Sequence, residues 1–211
     1  KKTARKISIP LTVGGGLKTI EDIKLILNFG ADKVAINSEA VRRPEFIREC
    51  VKYFGSSTIV LSINYKAWPN DNFKKNKHLT VGSSNKKNPT TWKNNFQVYI
   101  DNAREQTGID VFDWAQRGEE LGVGEILLTS IDKEGAQKGF ETELSSRLSK
   151  NLTIPFIMCG GMGKLSDLKE IYEKTKCNGI SIASVLHYEK FTIKQIKDYL
   201  TSENINIIHH E

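Results

Sequence analysis

Short apolar runs rich in β-branched residues recur along the chain, and segments with helical periodicity separate them. The runs are almost continuously apolar, which is typical of strands covered by helices on one face and by a barrel interior on the other. Six strands are predicted, at Ile7–Val13, Lys33–Asn37, Thr58–Asn64, Glu125–Ser130, Pro155–Cys159 and Gly179–Ala183. Regular alternation of strand and helix predicts a parallel sheet and therefore an α/β fold.

The predicted helices have recognisable ends. Start signals occur at Thr19 with Asp22, at Pro44, at Asp110 with Asp113, and at Thr192 with Gln195. An N-cap oxygen satisfies free N–H groups of the first turn, and proline fits there because it has no N–H to leave unpaired. Gly30, Gly55 and Gly122 lie where C-terminal caps are expected.

Length and composition predict one domain over residues 1–211, because 38% hydrophobic content is enough for one sizeable core. The chain begins at Lys1 rather than at a methionine, so the natural start is expected upstream. No signal-peptide pattern is visible. The longest apolar runs are far too short to span a membrane, and a soluble protein is expected.

The cysteines and histidines carry no metal-binding pattern. Cys50, Cys159 and Cys177 are far apart and lack CxxC spacing, which argues against a disulfide framework and a zinc site and fits a cytoplasmic protein. The four histidines, His78, His187, His209 and His210, form no ligand pattern either. We therefore expect no metal and no cofactor.

The net charge of +6 is concentrated in one segment. Lys66 to Gln97 contains seven lysines and a single acid, Asp71, so the rest of the chain is balanced. This pattern does not indicate a nucleic-acid-binding surface. The segment follows the third predicted strand, so in a barrel this basic insertion, at about 66–97, should overhang the catalytic face. It is either a solvated loop or, since Trp68, Phe73, Trp92, Phe96 and Tyr99 interleave with the lysines, a surface that grips an anionic substrate or a partner.

A glycine-rich module occurs twice. Val13–Gly16 is followed by a helix and a strand that leads to Ser38, and Cys159–Gly163 is followed by a helix and a strand that leads to Ser184. The distance is 22 residues from Gly16 to Ser38 and 23 from Gly161 to Ser184. Glycines let backbone N–H groups approach an anion, and a serine adds a hydroxyl donor, so each module predicts a phosphate site, although a bare tight turn would have the same sequence. Two sites across one barrel mouth predict a ligand phosphorylated at both ends.

Four segments resemble HisF, the cyclase subunit of imidazole glycerol phosphate synthase: Ile9–Gly16, Gly30–Val34, Gly124–Asp132 and Ile182–Val185. The resemblance covers nearly the whole chain except the basic insertion. It implies a (β/α)8 TIM barrel, here lacking about the first two strands. It also implies a glutaminase subunit at the bottom of the barrel, from which ammonia passes through the barrel to a bisphosphate at the top.

The resemblance also implies roles for individual residues. Gly16, Asn37 and Ser38 would hold one phosphate, and Gly135, Gly161, Ala183 and Ser184 would hold the other. Thr129 would line the reaction centre together with Asn64. Lys33 and Glu125 match charged residues at the ammonia entrance, and Asp32 matches an acid at the glutaminase interface, although all three charges would equally suit an ordinary ion pair at strand starts.

Asn64 departs from the family pattern. Family cyclases use two aspartates as general acid and base, one after the first strand, which is absent here, and one at the position of Asn64. An amide does not titrate near neutral pH and cannot replace a carboxylate in acid–base chemistry. The sequence therefore favours an ammonia conduit that serves sugar amidation in a bacterial surface-glycan pathway, with a sugar amidotransferase as a further partner. The alternatives are a true cyclase, which is a lyase of histidine biosynthesis, and a non-catalytic scaffold that activates the glutaminase.

Overall fold

The computed structural model describes residues 2–67 and 96–208. The strands are β1 (Thr12–Gly14), β2 (Lys33–Ile36), β3 (Ile59–Ala67), β4 (Phe96–Ile100), β5 (Glu105–Asp110), β6 (Glu125–Ser130), β7 (Phe156–Cys159) and β8 (Gly179–Ser181). The helices are α1 (Ile20–Asn28), α2 (Ser38–Arg42), α3 (Pro44–Phe54), α4 (Val111–Leu121), α5 (Glu143–Leu148), α6 (Ser166–Thr175), α7 (Ser184–His187) and α8 (Ile193–Ser202). A 3₁₀ turn spans Ser56–Thr58.

Six strands form a parallel sheet in the order β1-β2-β3-β6-β7-β8, with β1 and β8 at its edges. The expected α/β fold is thus confirmed, and the curled sheet is an incomplete (β/α)8 barrel. The first strand is shorter than predicted. Pro10 has no N–H to donate, and Leu11 donates its own at 2.7 Å to the carboxylate of Asp32 rather than to a strand.

The sequence did not predict the antiparallel hairpin formed by β4 and β5. β4 pairs with the end of β3, where Asn64 lies opposite Tyr99 and Ala67 opposite Phe96. Both ends of the expected basic insertion are therefore strand rather than loop. Residues 68–95, including Trp68, Phe73 and Trp92, lie outside the described residues.

Most of the predicted helix ends are present, but the C-cap of α1 is Phe29, and Gly30 is the residue after it. Thr19 and Thr192 both form complete capping boxes, and the Asp110 carboxylate accepts from the N–H groups of Phe112 and Asp113. Pro44 is the first residue of α3, and Gly55 and Gly122 end α3 and α4. These caps fix the ends of α1, α3, α4 and α8.

Alternation along the strands separates a helix-facing side from a barrel interior. In β6, Ile126, Leu128 and Ser130 are buried beneath the helices, whereas the intervening residues, among them Leu127 and Thr129, are half-buried. The buried face belongs to one hydrophobic cluster whose largest member is Trp114 of α4. Within residues 2–67 and 96–208, no helix has the length and hydropathy needed to cross a membrane.

Candidate functional site

The glycine turn after β1 opens onto a cavity of about 580 Å³. Gly15 and Gly16 have φ values of +109° and +70°, conformations that L side chains rarely adopt. A Cβ at either position would find nothing within 4 Å, so both backbones face open space. The turn therefore leaves room for a ligand beside its N–H groups.

The junction of β2 and α2 also lines this cavity. The Asn37 amide donates to the Ser62 carbonyl oxygen at 3.0 Å, and the Ser38 hydroxyl donates to the Asn37 side-chain oxygen at 3.3 Å. Gly16, Asn37, Ser38 and Asn64 all line the same cavity. The structure thus brings together the residues expected to hold the first phosphate; their role as ligands stays a prediction.

The second glycine turn is packed where the first is open. Gly161 has a φ of +124°, and a Cβ there would lie far inside van der Waals contact with the Gly139 carbonyl oxygen. Gly160 is similar, because its Cβ would stand 2.8 Å from the Ser130 carbonyl oxygen. The Gly139 N–H also donates to the Gly161 carbonyl at 2.9 Å, so this turn is held against the loop that follows β6.

The other residues expected at the second phosphate lie around this turn. Gly135 has a φ of +69° and open space where a Cβ would be. Ser184 is the first residue of α7 and Ala183 is its N-cap, just after β8, whose Ser181 is in register with Cys159 of β7. Gly161 and Ser184 therefore follow neighbouring strands at the same end of the sheet, as Gly16 and Ser38 do.

A row of polar side chains crosses the carboxyl ends of four strands. Asn64 pairs with Thr129, Thr129 with Cys159, and Cys159 with Ser181. The Cys159 sulfur lies 3.6 Å from a carboxylate oxygen of Glu134. Burial raises the pKa of the Cys159 thiol, and the Glu134 charge adds to this effect, while hydrogen bonds with Ser181 and Thr129 oppose it.

Sequence reasoning assigned no chemistry to Cys159 or Glu134. The alternation that places Thr129 toward the interior applies equally to the end of β7, so the position of Cys159 could have been read from the strand pattern. The Glu134 contact joins a loop residue to another strand and has no local signal.

The charged residues expected at the ammonia entrance lie at the amino ends of β2 and β6. Lys33 and Glu125 form an ion pair, and their side chains are 37% and 13% exposed. β3 separates their strands, so the two side chains meet across its start. Asp32 does not join them: its carboxylate binds the Leu11 N–H at 2.7 Å.

The hairpin of β4 and β5 reaches over the first cavity, a contact that the sequence did not predict. Asp101 and Asn102 line that cavity, and the Asp101 N–H donates to the Ser38 hydroxyl oxygen at 3.0 Å. Arg42 of α2 pairs with the Asp101 carboxylate and lies 3.7 Å from that of Glu105. Burial acts to raise the pKa of Asp101, but the hydrogen bond and charge of Arg42 hold it below its usual range.

Among the residues that the structure describes, no three His, Cys, Asp or Glu side chains are grouped closely enough to hold a metal ion. His78, His209 and His210 lie outside those residues.

Residues 1–192 match a protein-family model described as "Histidine biosynthesis protein". The chain is 40% identical to the imidazole glycerol phosphate synthase subunit HisF of Clostridium botulinum (strain Okra / Type B1) over 207 residues, covering 98% of this chain and 73% of that protein. It is 42% identical to the protein of the same description from Methanocaldococcus jannaschii over 208 residues, covering 97% and 74%. The Lactococcus lactis subsp. cremoris (strain MG1363) protein of that description is 40% identical over 204 residues, covering 97% and 70%.

Proposed function

The chain belongs to the histidine biosynthesis protein family, and we propose that it is the barrel subunit of an imidazole glycerol phosphate synthase. In this role it receives ammonia from a glutaminase partner and delivers it to a ligand phosphorylated at both ends. The observation that carries the proposal is the cavity beside β1, where an open glycine turn and the Asn37–Ser38 junction converge next to Asn64.

The first phosphate binds in that cavity, between the glycine turn and the Asn37–Ser38 junction. Backbone N–H groups of Gly15 and Gly16 approach it without a Cβ in the way, and the Ser38 hydroxyl turns from Asn37 to donate to it. Asn37 is held by the Ser62 carbonyl and orients Ser38. The cavity geometry supports these assignments.

The second phosphate binds where β7 and β8 end. Gly135, Ala183 and Ser184 approach its oxygens, whereas Gly161 acts mainly by letting two loops pack closely enough to form the site. A ligand held at both sites lies across the row from Asn64 to Ser181, with Thr129 beneath its centre.

Ammonia enters at the opposite end of the barrel. Lys33 and Glu125 lie at the amino ends of their strands, and the glutaminase docks on the same face, where Asp32 stiffens the segment before β1 through the Leu11 N–H. Because the Glu125 side chain is only 13% exposed, separating the pair leaves a largely buried carboxylate without its partner, and we expect the docked glutaminase to offset that cost.

Asn64 supports a second candidate. The similar proteins favour cyclisation over the sugar amidation that the sequence alone suggested. An amide at the position of a family carboxylate nevertheless suits a subunit that conducts ammonia to a sugar amidotransferase and does not cyclise the ligand itself.

Turnover with ammonium salts separates the two candidates. The full-length protein and its Asn64→Asp variant are assayed for conversion of the ribulosylformimino bisphosphate precursor into imidazole glycerol phosphate. Because a positioned acid or base contributes about 10²–10⁴-fold, we expect slow turnover in the parent and turnover at least about 100-fold faster in the variant. Asn28→Asp, at the exposed end of α1, controls for the added charge.

Two results contradict the proposal in different ways. If the bisphosphate binds but neither parent nor Asn64→Asp converts it, cyclisation is wrong and the ammonia conduit is supported. If the bisphosphate does not bind at all, cyclisation and the paired phosphate sites are wrong, and the ammonia conduit to a sugar amidotransferase and the glutaminase-activating scaffold remain.

A further inference from the structure

Arg42 lies on the same face of α2 as Ser38. The two residues are four positions apart, which stacks their side chains on one side of a helix, and both line the cavity beside β1. Arg42 is 40% exposed, so its guanidinium is free to change partners. It is therefore a cation at the edge of the proposed first phosphate site.

The hairpin tip, residues 101–104, lies against the same site. Asp101, Asn102 and Ala103 all have positive φ values, of +50°, +55° and +64°. Three successive non-glycine residues in this conformation are unfavourable, so tertiary contacts must hold the tip in place. The contacts at hand are the ion pair with Arg42 and the Asp101 N–H bond to Ser38.

The charges around Arg42 allow its guanidinium to exchange one anionic partner for another. Its guanidinium has two carboxylates, Asp101 and Glu105, and one of them suffices to neutralise it. The nearby Glu39 is engaged by Arg43 at 2.6 Å and does not compete. Exposed ion pairs are weak and exchange readily, whereas a guanidinium binds two phosphate oxygens at once.

We propose that Arg42 is a ligand of the first phosphate and that the hairpin tip sets the affinity of that site. When phosphate enters, the guanidinium leaves the Asp101 carboxylate for the phosphate oxygens, and the Ser38 hydroxyl donates to the same anion. This inference rests on the proposed function, because it requires a phosphate at the first glycine turn. It adds two residues to the proposed phosphate site: Arg42 of α2 as a charged ligand, and Asp101 of the hairpin tip as a carboxylate that regulates Arg42.

The test is a titration with inorganic phosphate at low ionic strength, followed by ¹H–¹⁵N NMR. The amide signals of Gly15 and Gly16 report on the first site, and those of Gly135 and Ser184 report on the second. The variants are Arg42→Gln, Asp101→Asn and the double variant. Arg48→Gln, an exposed α3 residue paired with Glu45, is the matched control.

We expect Arg42→Gln to weaken phosphate binding at the first turn on the order of tenfold. Asp101→Asn should strengthen it by roughly two- to tenfold, because the guanidinium loses its competing partner, and asparagine tolerates a positive φ. The double variant should still bind at least about threefold more weakly than the parent, because the direct bond is missing. Arg48→Gln and the second-site signals should not change.

The double variant distinguishes a direct contact between Arg42 and the phosphate from simple neutralisation of Asp101. If Arg42 merely neutralises Asp101, removing both charges restores the parent affinity, and that result would overturn the inference while leaving the phosphate site intact. If neither the parent nor any variant binds phosphate at Gly15 and Gly16, both this inference and the proposed phosphate site are wrong. Unchanged second-site titrations in every variant show that a loss at the first site is not a loss of fold.

Discussion

The same substitution should cost much less stability at the first glycine turn than at the second. In Gly16→Ala the new Cβ meets nothing within 4 Å, and the only cost is the φ of +70°. An L residue in that region costs about 1–2 kcal/mol, and the reduced freedom of the unfolded chain returns about 0.4–1 kcal/mol. The net loss of unfolding free energy is therefore about 0–1.6 kcal/mol. Phosphate binding should nevertheless fall by roughly tenfold, because the Cβ stands beside the N–H groups that the anion approaches.

In Gly161→Ala the same methyl group has no room. Its φ of +124° lies in a region that side chains rarely enter, and the Gly139 carbonyl oxygen occupies the space. Backbone strain of about 1–3 kcal/mol and overpacking of about 1–3 kcal/mol add to roughly 2–6 kcal/mol. For a chain of this length each kcal/mol lowers the melting temperature by about 2–4 °C. We expect a loss of no more than about 6 °C for Gly16→Ala and of roughly 4–24 °C for Gly161→Ala.

Thermal unfolding followed by circular dichroism measures both losses, and phosphate titration of Gly16→Ala measures binding. Equal losses of melting temperature in the two variants would refute the distinction between an open and a packed turn. Undiminished phosphate binding by Gly16→Ala would refute the assignment of the open turn as a ligand site.

Three further predictions concern other parts of the barrel. Lys33→Met should lower glutamine-dependent turnover of the complex but leave ammonium-dependent turnover unchanged, with Arg48→Gln as control; an equal loss in both assays contradicts a role at the ammonia entrance. Burial acts to raise the pKa of Glu119, but hydrogen bonds from the hydroxyl and N–H of Thr153 and a further backbone N–H outweigh it and lower the pKa. Glu119 therefore stabilises the fold above its ordinary pKa, and this stabilisation is lost as the pH falls through the lowered pKa. The free energy of unfolding in urea should be lower for Glu119→Gln than for the parent at pH 7, and the two values should converge in acid. The raised pKa of Cys159 predicts slow alkylation by iodoacetamide at neutral pH, faster reaction at alkaline pH and protection by a bound bisphosphate. Burial raises the pKa of Cys50 to about 12, so Cys50 should remain unmodified. Rapid labelling of both cysteines at neutral pH would contradict this environment.

The parallel strands and the helix caps could be predicted because their signals are local. The apolar runs from Lys33 to Ile36 and from Glu125 to Ser130 are bounded by polar residues, and Thr19 and Thr192 each have a partner three residues later. Hydrogen bonds within one turn leave a pattern in the sequence itself. The same is true of the glycine turns, whose spacing repeats in the two halves.

The hairpin was missed because nothing local marks it. Its tip contains no glycine at the positions with positive φ, and Glu105–Asp110 is too polar to resemble a strand. Its anchor, the pair between Arg42 and Asp101, joins residues 59 positions apart. The different packing of Gly16 and Gly161 was equally hidden, because it depends on which loop approaches each turn.

The backbone of Asn64 is fixed on both sides, by Tyr99 of β4 and by Thr129 of β6. Asparagine and aspartate have nearly the same shape, and their codons differ by a single base. A lineage could therefore acquire or lose a titratable group at this position without altering the surrounding strand pairing. The same change would decide whether the ammonia is used for cyclisation or passed to a sugar amidotransferase. Closely related genes should then contain both residues at this position within otherwise similar barrels.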